Sequence, residues 1–288
     1  MTTLYFGYDP GGGGAHGVAS IDGANVSCDT LATAQDAITW FSDRSAGRAD
    51  VVLGVDAFTL WSSGPSGWRP ADRALRARFP EVIDSVTAPN SLRGAMPVNG
   101  AVVMRALGTR CGKLRVTETH PKVLYFALTN QVYNFGQNSV QMIEHLAAWI
   151  GAGAIAVPSE HAWDAVVSAY AARQWHTGAW PANLHGLPNQ PYEELIPVQG
   201  NRAFYGWPEV VTEPPAAPVQ AAAAPRNREG ARERDLWLVA AERLRRAGHH
   251  DVADQIEAYR NVRGERAGWD AWLRSEFPSM WSIYEAGD

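Results

Sequence analysis

The stretch at residues 4–21, LYFGYDPGGGGAHGVASI, sets the terms for this chain. Leu4, Phe6 and Tyr8 alternate with Tyr5, Gly7 and Asp9, which is the period of an extended strand. Asp9 closes that strand. The glycines from 11 to 14 then allow backbone conformations that side chains forbid, and residues 18–21 resume a strand. A carboxylate at the end of a buried strand, beside an open glycine loop, is costly unless a cation stands near it. Asp9 therefore has two readings. It caps a turn, as Asp and Gly ordinarily do, or it is one ligand of a divalent metal.

The elements that follow define a sheet. Asp22-Gly23 is a hairpin-turn dipeptide, and residues 25–31 make a third strand, so the opening is an antiparallel meander. Thr33 is placed as the N-cap of a helix carrying Ala34, Ala37, Ile38 and Phe41 toward the sheet. VVLGV at 51–55 is the wholly apolar pattern of a strand buried on both faces, and it ends at Asp56. A right-handed crossover would lay this strand parallel to the first. Asp9 and Asp56 would then share one sheet edge, about 5 Å apart. Two carboxylates that close raise each other's pKa unless a cation lies between them. They form a metal site or a shared-proton pair, unless Asp56 merely caps the next turn.

Residues 57–112 read as an insertion of loops with helices near 72–79 and 100–107, forming a wall or lid over a substrate. Arg69, Arg73, Arg76 and Arg78 in it can meet a phosphate backbone or lie as a solvated helix face. LRVTETH at 114–120 alternates as a strand and places Glu118 as a third acid at a strand end, with His120 after it. Pro121 opens a helix to about residue 128. Further helices are expected at 139–150 and, capped by Ser159, at 160–174. In the last of these, Asp164 lies beside the apolar stripe, one turn from His161 and Ser168. The helix dipole alone can account for an acid so near a helix N-terminus.

Residues 211–227 are rich in proline and alanine and read as a linker. The expected organisation is a main domain at 1–210, this linker, and a small all-α domain at 228–288. The arginines of that last domain alternate with acids as a salt-laced surface, and it is the place for a protein partner. A formal net charge of -5 argues against binding nucleic acid by bulk positive charge, though not against local patches. Cys28 and Cys111 form no metal-ligand spacing and suggest a reducing compartment. The N-terminal residues lack a secretory pattern, and the apolar run at 146–157 is too short to span a bilayer. The expectation is a cytoplasmic protein with no membrane partner.

Four motifs, FGYDPGGGGAHGVA, VVLGVDAF followed by GWRPADRALR, VTETHPKVLYFAL and HAWDAVVSAYAA, each carry one acid in order along the chain. Over residues 3–205 the sequence resembles an uncharacterised prokaryotic family described as predicted RNase H-fold nucleases. The resemblance implies an RNase H-like α/β fold with a mixed five-stranded sheet, three strands antiparallel and the rest parallel. It makes Asp9, Asp56, Glu118 and Asp164 catalytic metal ligands. Their oxygens suit Mg²⁺ or Mn²⁺, and two such ions about 4 Å apart would drive phosphodiester hydrolysis of nucleic acid. His16, His120 or His161 would shuttle a proton. Arg69 and Arg93 would hold a phosphate, and His120 and His161 would face the substrate. The run of glycines and the Ala57-Phe58-Thr59 sequence after Asp56 depart from the family pattern.

Two other functions fit the same pattern. A phosphotransferase of the sugar-kinase and actin type shares the sheet, but such enzymes have two glycine-loop halves and one is found here. A P-loop is absent, since no G-x-x-x-x-G-K-[ST] occurs. The other is a degenerate RNase H-like binding module.

Overall fold

The structure is a computed structural model. It describes residues 3–11, 14–63, 67–89, 95–111, 113–189, 194–198, 203–211, 244–245, 250 and 253–254. The chain divides into two units, Met1–Ala217 and Pro218–Asp288. In the second, the described residues include buried Leu244 and Ala253 and an Arg245–Asp254 ion pair at 2.7 Å. The expected linker and the expected all-α domain, with its partner surface, otherwise lie outside the described residues.

The first unit is an α/β assembly on a mixed five-stranded sheet. Strands β1 (Leu4–Asp9), β2 (His16–Asp22) and β3 (Asn25–Leu31) form the antiparallel meander. Gly23 supplies the φ of 64° that the tight β2–β3 turn requires. Helix α1 (Ala34–Ser45) follows, with the Asp36 amide donating to the Thr33 hydroxyl at its N-cap. It leads to β4 (Val51–Val55), which pairs parallel with β1. The fifth strand, β6 (Leu114–Glu118), pairs parallel with β4, so the order is β3-β2-β1-β4-β6.

The insertion is more ordered than its sequence suggests. Strand β5 (Leu60–Ser62) pairs with β8 (Leu195–Pro197), a partner more than a hundred residues away that local patterning cannot announce. Helix α2 (Pro70–Arg78) leads into a 3-10 turn, and α3 (Ala95–Arg110) starts five residues before the expected 100. Helices α4 (Pro121–Thr129), α5 (Phe135–Ile150) and α6 (Glu160–His176) complete the set. Helix α5 starts earlier than the expected 139 because Asn134 accepts from the Gln137 amide and caps it there. Strands β7 (Ala182–Asn183) and β9 (Gly206–Trp207) form a short ribbon. Phe204 bonds the outer edge of β6 through Glu118 N–H and Val116 C=O, at 2.7 and 3.1 Å, and so covers that edge.

Two cores sandwich the sheet. Phe6, Tyr8, Leu53 and Val55 meet Phe41 of α1 and Val103 and Leu107 of α3 on one face. On the other, Tyr5 and Val52 meet α6, which is backed by Met142 and Leu146 of α5.

Helix α6 lies against the sheet backbone to backbone. A Cβ at Gly17, Gly7 or Gly54 would sit 1.9, 1.8 or 1.9 Å from the carbonyl oxygens of His161, Ala165 and Ser168 respectively. These glycines belong to three neighbouring strands, β2, β1 and β4. The three carbonyls run along one face of the helix. Glycine in a strand marks such a close approach, and here it seats one helix across three strands.

Gly7→Ala and Gly54→Ala should therefore each destabilise the protein by about 1–3 kcal/mol or more, because the clash is with backbone that cannot rotate away. Gly153, with nothing within 4 Å of its added Cβ, is the control and should tolerate Ala. Urea midpoints of the three variants check this.

Candidate active site

The parallel register decides which acids meet. Tyr8, Val55 and Glu118 lie in line across β1, β4 and β6. Asp9, Asp56 and Thr119 form the next row, and the ladder continues through it: Asp56 N–H donates to Tyr8 C=O and Thr119 N–H to Val55 C=O, each at 2.9 Å. Successive residues of a strand point to opposite faces. Asp9 and Asp56 thus share the face of Gly7 and Gly54, under α6. Asp164 lies on α6 between the Ala165 and His161 contacts with the sheet. Asp9, Asp56 and Asp164 line one cavity of about 330 Å³, with His120, Lys122 and His161.

Asp9 and Asp164 are buried, at 3% exposure each. Burial pushes the Asp164 carboxyl well above its ordinary range, and the charges of Asp9 and Asp56 push it further. Burial, then the charge of Asp9, does the same to Asp56. Asp164 Oδ1 is buried with no hydrogen-bond partner. His161 donates Nδ1–H to Asp9 Oδ2 at 2.6 Å, and this bond raises its pKa. His120 is lowered by burial and so tends to the neutral form. Its Nε2 lies 2.8 Å from the Ser85 carbonyl, which can only accept, so Nε2 carries the proton. Nδ1 then turns a lone pair toward Asp56 Oδ1, 3.9 Å away. Two acceptors facing each other call for a proton or a cation between them.

Glu118 has a different fate. Its Oε1 accepts from Arg69 Nη2 at 2.6 Å and its Oε2 from Arg69 Nη1 at 2.8 Å. The Thr59 amide and hydroxyl both donate to Oε2 at 2.9 Å, and His185 Nε2 reaches it at 3.4 Å. Burial alone would raise this carboxyl, but the Arg69 charge and the hydrogen bonds from His185 and Arg69 hold it far below the usual carboxylate range. Glu118 reaches the cavity wall, yet both its oxygens are committed. Arg69, expected to hold a phosphate, is 1% exposed and bonds Asp72 as well, through Nε and Nη2 at 2.9 and 2.7 Å. Its guanidinium is turned inward because β5 and α2 close over it.

The other expected residues are also placed. His16 bonds the Tyr8 hydroxyl at 2.8 Å and lies in the row of Val18, on the α1 side of the sheet. On α2, Arg76 donates to the carbonyls of Ile83 and Val86, and Arg78 pairs with Glu209 at 3.3 Å. Arg93 lies outside the described residues. Sequence reasoning missed Lys122 and Glu160, which bond each other at 2.8 Å on the cavity wall. One signal was available: Lys122 follows Pro121 in a first helical turn, where the dipole disfavours a cation. The carboxylates of Asp164, Glu160 and Asp56 outweigh burial and keep the ammonium above its ordinary pKa.

Among the described residues, no three His, Cys, Asp or Glu side chains are grouped tightly enough to hold a metal ion as they stand. No described helix is long and apolar enough to cross a membrane. Compared with models of protein families, with curated proteins and with solved structures, the chain matches none.

The Arg69–Glu118 pair generates a pH-dependent prediction. The folded pKa of Glu118 is depressed, so its stabilisation is present above the unfolded value of about 4.3 and lost as pH falls below it. Arg69→Gln strands two buried carboxylates and should cost roughly 3–5 kcal/mol at pH 7. The gap from wild type should narrow steadily on acidification from pH 7, because Glu118, buried without its cation, takes up a proton above the ordinary carboxylate range in the variant and not in the wild type. Urea unfolding of both proteins across pH 3.5–7 measures the gap.

Proposed function

We propose that this chain is a metal-dependent nuclease whose site is built by Asp9, Asp56 and Asp164. The observation that carries the proposal is the buried, partnerless Asp164 Oδ1 beside two like charges. Burying a carboxylate without a donor or a cation is expensive. The donor set is all hard oxygen, with His120 Nδ1 at its edge, which suits Mg²⁺ or Mn²⁺. Mutual repulsion accounts for carboxylates that share a cavity without closing on one another, and a cation would relieve it. Three antiparallel strands followed by two parallel ones are compatible with an RNase H-like fold and support the same reading.

A divalent ion held by the three aspartates would supply Lewis-acid stabilisation of the charge that develops on a phosphodiester. The remaining work falls to the chain itself. His161, pinned through Nδ1 to Asp9 and 37% exposed, exchanges a proton between the cavity and solvent. Neutral His120, fixed by Ser85, holds its lone pair toward Asp56 and the substrate side of the cavity. The Arg69–Glu118 pair holds β6, β5 and the start of α2 together, so that the cavity wall keeps its shape.

The reading fixes a sign for stability. Asp56 and Asp164 have folded pKa values above their unfolded ones. Their protonated forms are favoured on folding, so the metal-free protein loses stability as pH rises above about 4. Without metal, Asp164→Asn should gain roughly 1–2 kcal/mol at pH 8. Millimolar Mn²⁺ should raise the wild-type Tm at that pH and leave Asp164→Asn nearly unmoved. Cleavage of single- and double-stranded DNA, RNA and hybrids should fall by about 100-fold or more in Asp9→Asn and Asp164→Asn. Equal cleavage in all three proteins removes the assignment. A metal-induced rise in Tm with no cleavage leaves a binding module.

A further inference from the structure

A site for two divalent ions needs two sets of ligands with one shared between them. Besides the three aspartates, the described acids on the cavity wall are Asp84, Glu118 and Glu160. Asp84 is exposed at the rim. Glu118 is neutralised by Arg69 at 2.6 and 2.8 Å. Glu160 is engaged by Lys122, whose Nζ stands 2.8 Å from Oε1 while its charge also acts on Asp164 and Asp56. The two acids that would complete a second ion's shell thus already carry cations of the chain's own.

Lys122 is the one Lys or Arg among the described residues of the cavity wall. It stands in the first turn of α4, where the helix dipole opposes a positive charge. Two contacts fix it there: the Glu160 carboxylate and the face of the Tyr133 ring, 4.6 Å from Nζ. Independently, the buried Asp164 Oδ1 on the same wall has no hydrogen-bond partner.

We propose that this site takes one divalent ion, held by Asp9, Asp56 and Asp164, and that the Lys122 ammonium stands as the second positive charge facing the substrate's phosphate. The proposal rests on the metal-dependent reading above but departs from the two-ion arrangement that the family resemblance implied. A fixed ammonium neutralises developing charge without requiring a second set of acids, and it needs no ion concentration to be present.

The test is titration of the full-length, metal-free chain with Mn²⁺ by calorimetry, with ion content checked by mass spectrometry. The wild type should bind one ion per chain. Lys122→Gln removes a unit of like charge near the ion and should tighten Mn²⁺ binding by roughly tenfold. Lys122→Arg, which keeps the charge, should not. Structural damage would weaken binding, so tightening separates the electrostatic role from a structural one. Two ions in the wild type, or unchanged affinity in Lys122→Gln, overturns this proposal and leaves the hydrolase reading standing. No binding by the wild type overturns both.

Discussion

The arrangement depends on one contact: a helix laid on a sheet so closely that backbone meets backbone at three glycines. Glycine at 7, 17 and 54 removes the layer of Cβ atoms that normally holds a helix about 10 Å from a sheet. Helix α6 descends into that space, and its short alanines fill what remains. Because the helix sits so low, Asp164 arrives at the level of the strand ends instead of above them. The same contact buries Asp9 and Asp164 to 3% exposure each, beside Asp56. Proximity and desolvation thus share a cause, and together they make Asp56 and Asp164 costly to ionise. A spacer of ordinary side chains would have left three aspartates in separate, hydrated places.

Glu118 and Asp164 show how environment assigns roles to similar groups. Both are buried carboxylates on elements that border one cavity. One is given a guanidinium, an amide and a hydroxyl, and its pKa falls. The other is buried among like charges that the Lys122 ammonium only partly offsets, with one oxygen left without a partner, and its pKa rises. A fully satisfied buried group holds shape, whereas an unsatisfied one stores free energy that a ligand can release. Glu118 thus holds the cavity wall in shape, while Asp164 keeps one oxygen without a partner.

Much of the sheet was legible because its signals are local. Alternation at residues 4–9, the Asp22-Gly23 turn, the Thr33 cap and the unbroken apolar run at 51–55 each specify an element without reference to distant chain. Pro121 and Ser159 opened their helices for the same reason. Pairing of β5 with β8 and the edge contact of Phe204 were not legible, since nothing in either segment names its partner. In the site, strand-end position nominated Glu118 alongside Asp9 and Asp56. Position along a strand is not enough, however. The β4–β6 register aligns Glu118 with Val55 and not with Asp56, which turns it to the other face. A register is a relation between strands, and a single sequence does not state it. The burial of Arg69 was not legible for a related reason: a helix start that is polar in sequence is interior because β5 closes over it.

Lys122 completes the physical argument. A cation in the first turn of a helix, half-desolvated and beside a ring face, has little local reason to be there. Its reason is non-local: the acids of β1, β4 and α6 create a field that only positive charge can offset. The chain meets part of that field with its own ammonium and leaves the rest unanswered at Asp164. The unanswered remainder is small in atoms, one carboxylate oxygen, but it sits at the point where helix and sheet backbones touch. There the surrounding structure is least able to relax, so the carboxylate keeps its cost.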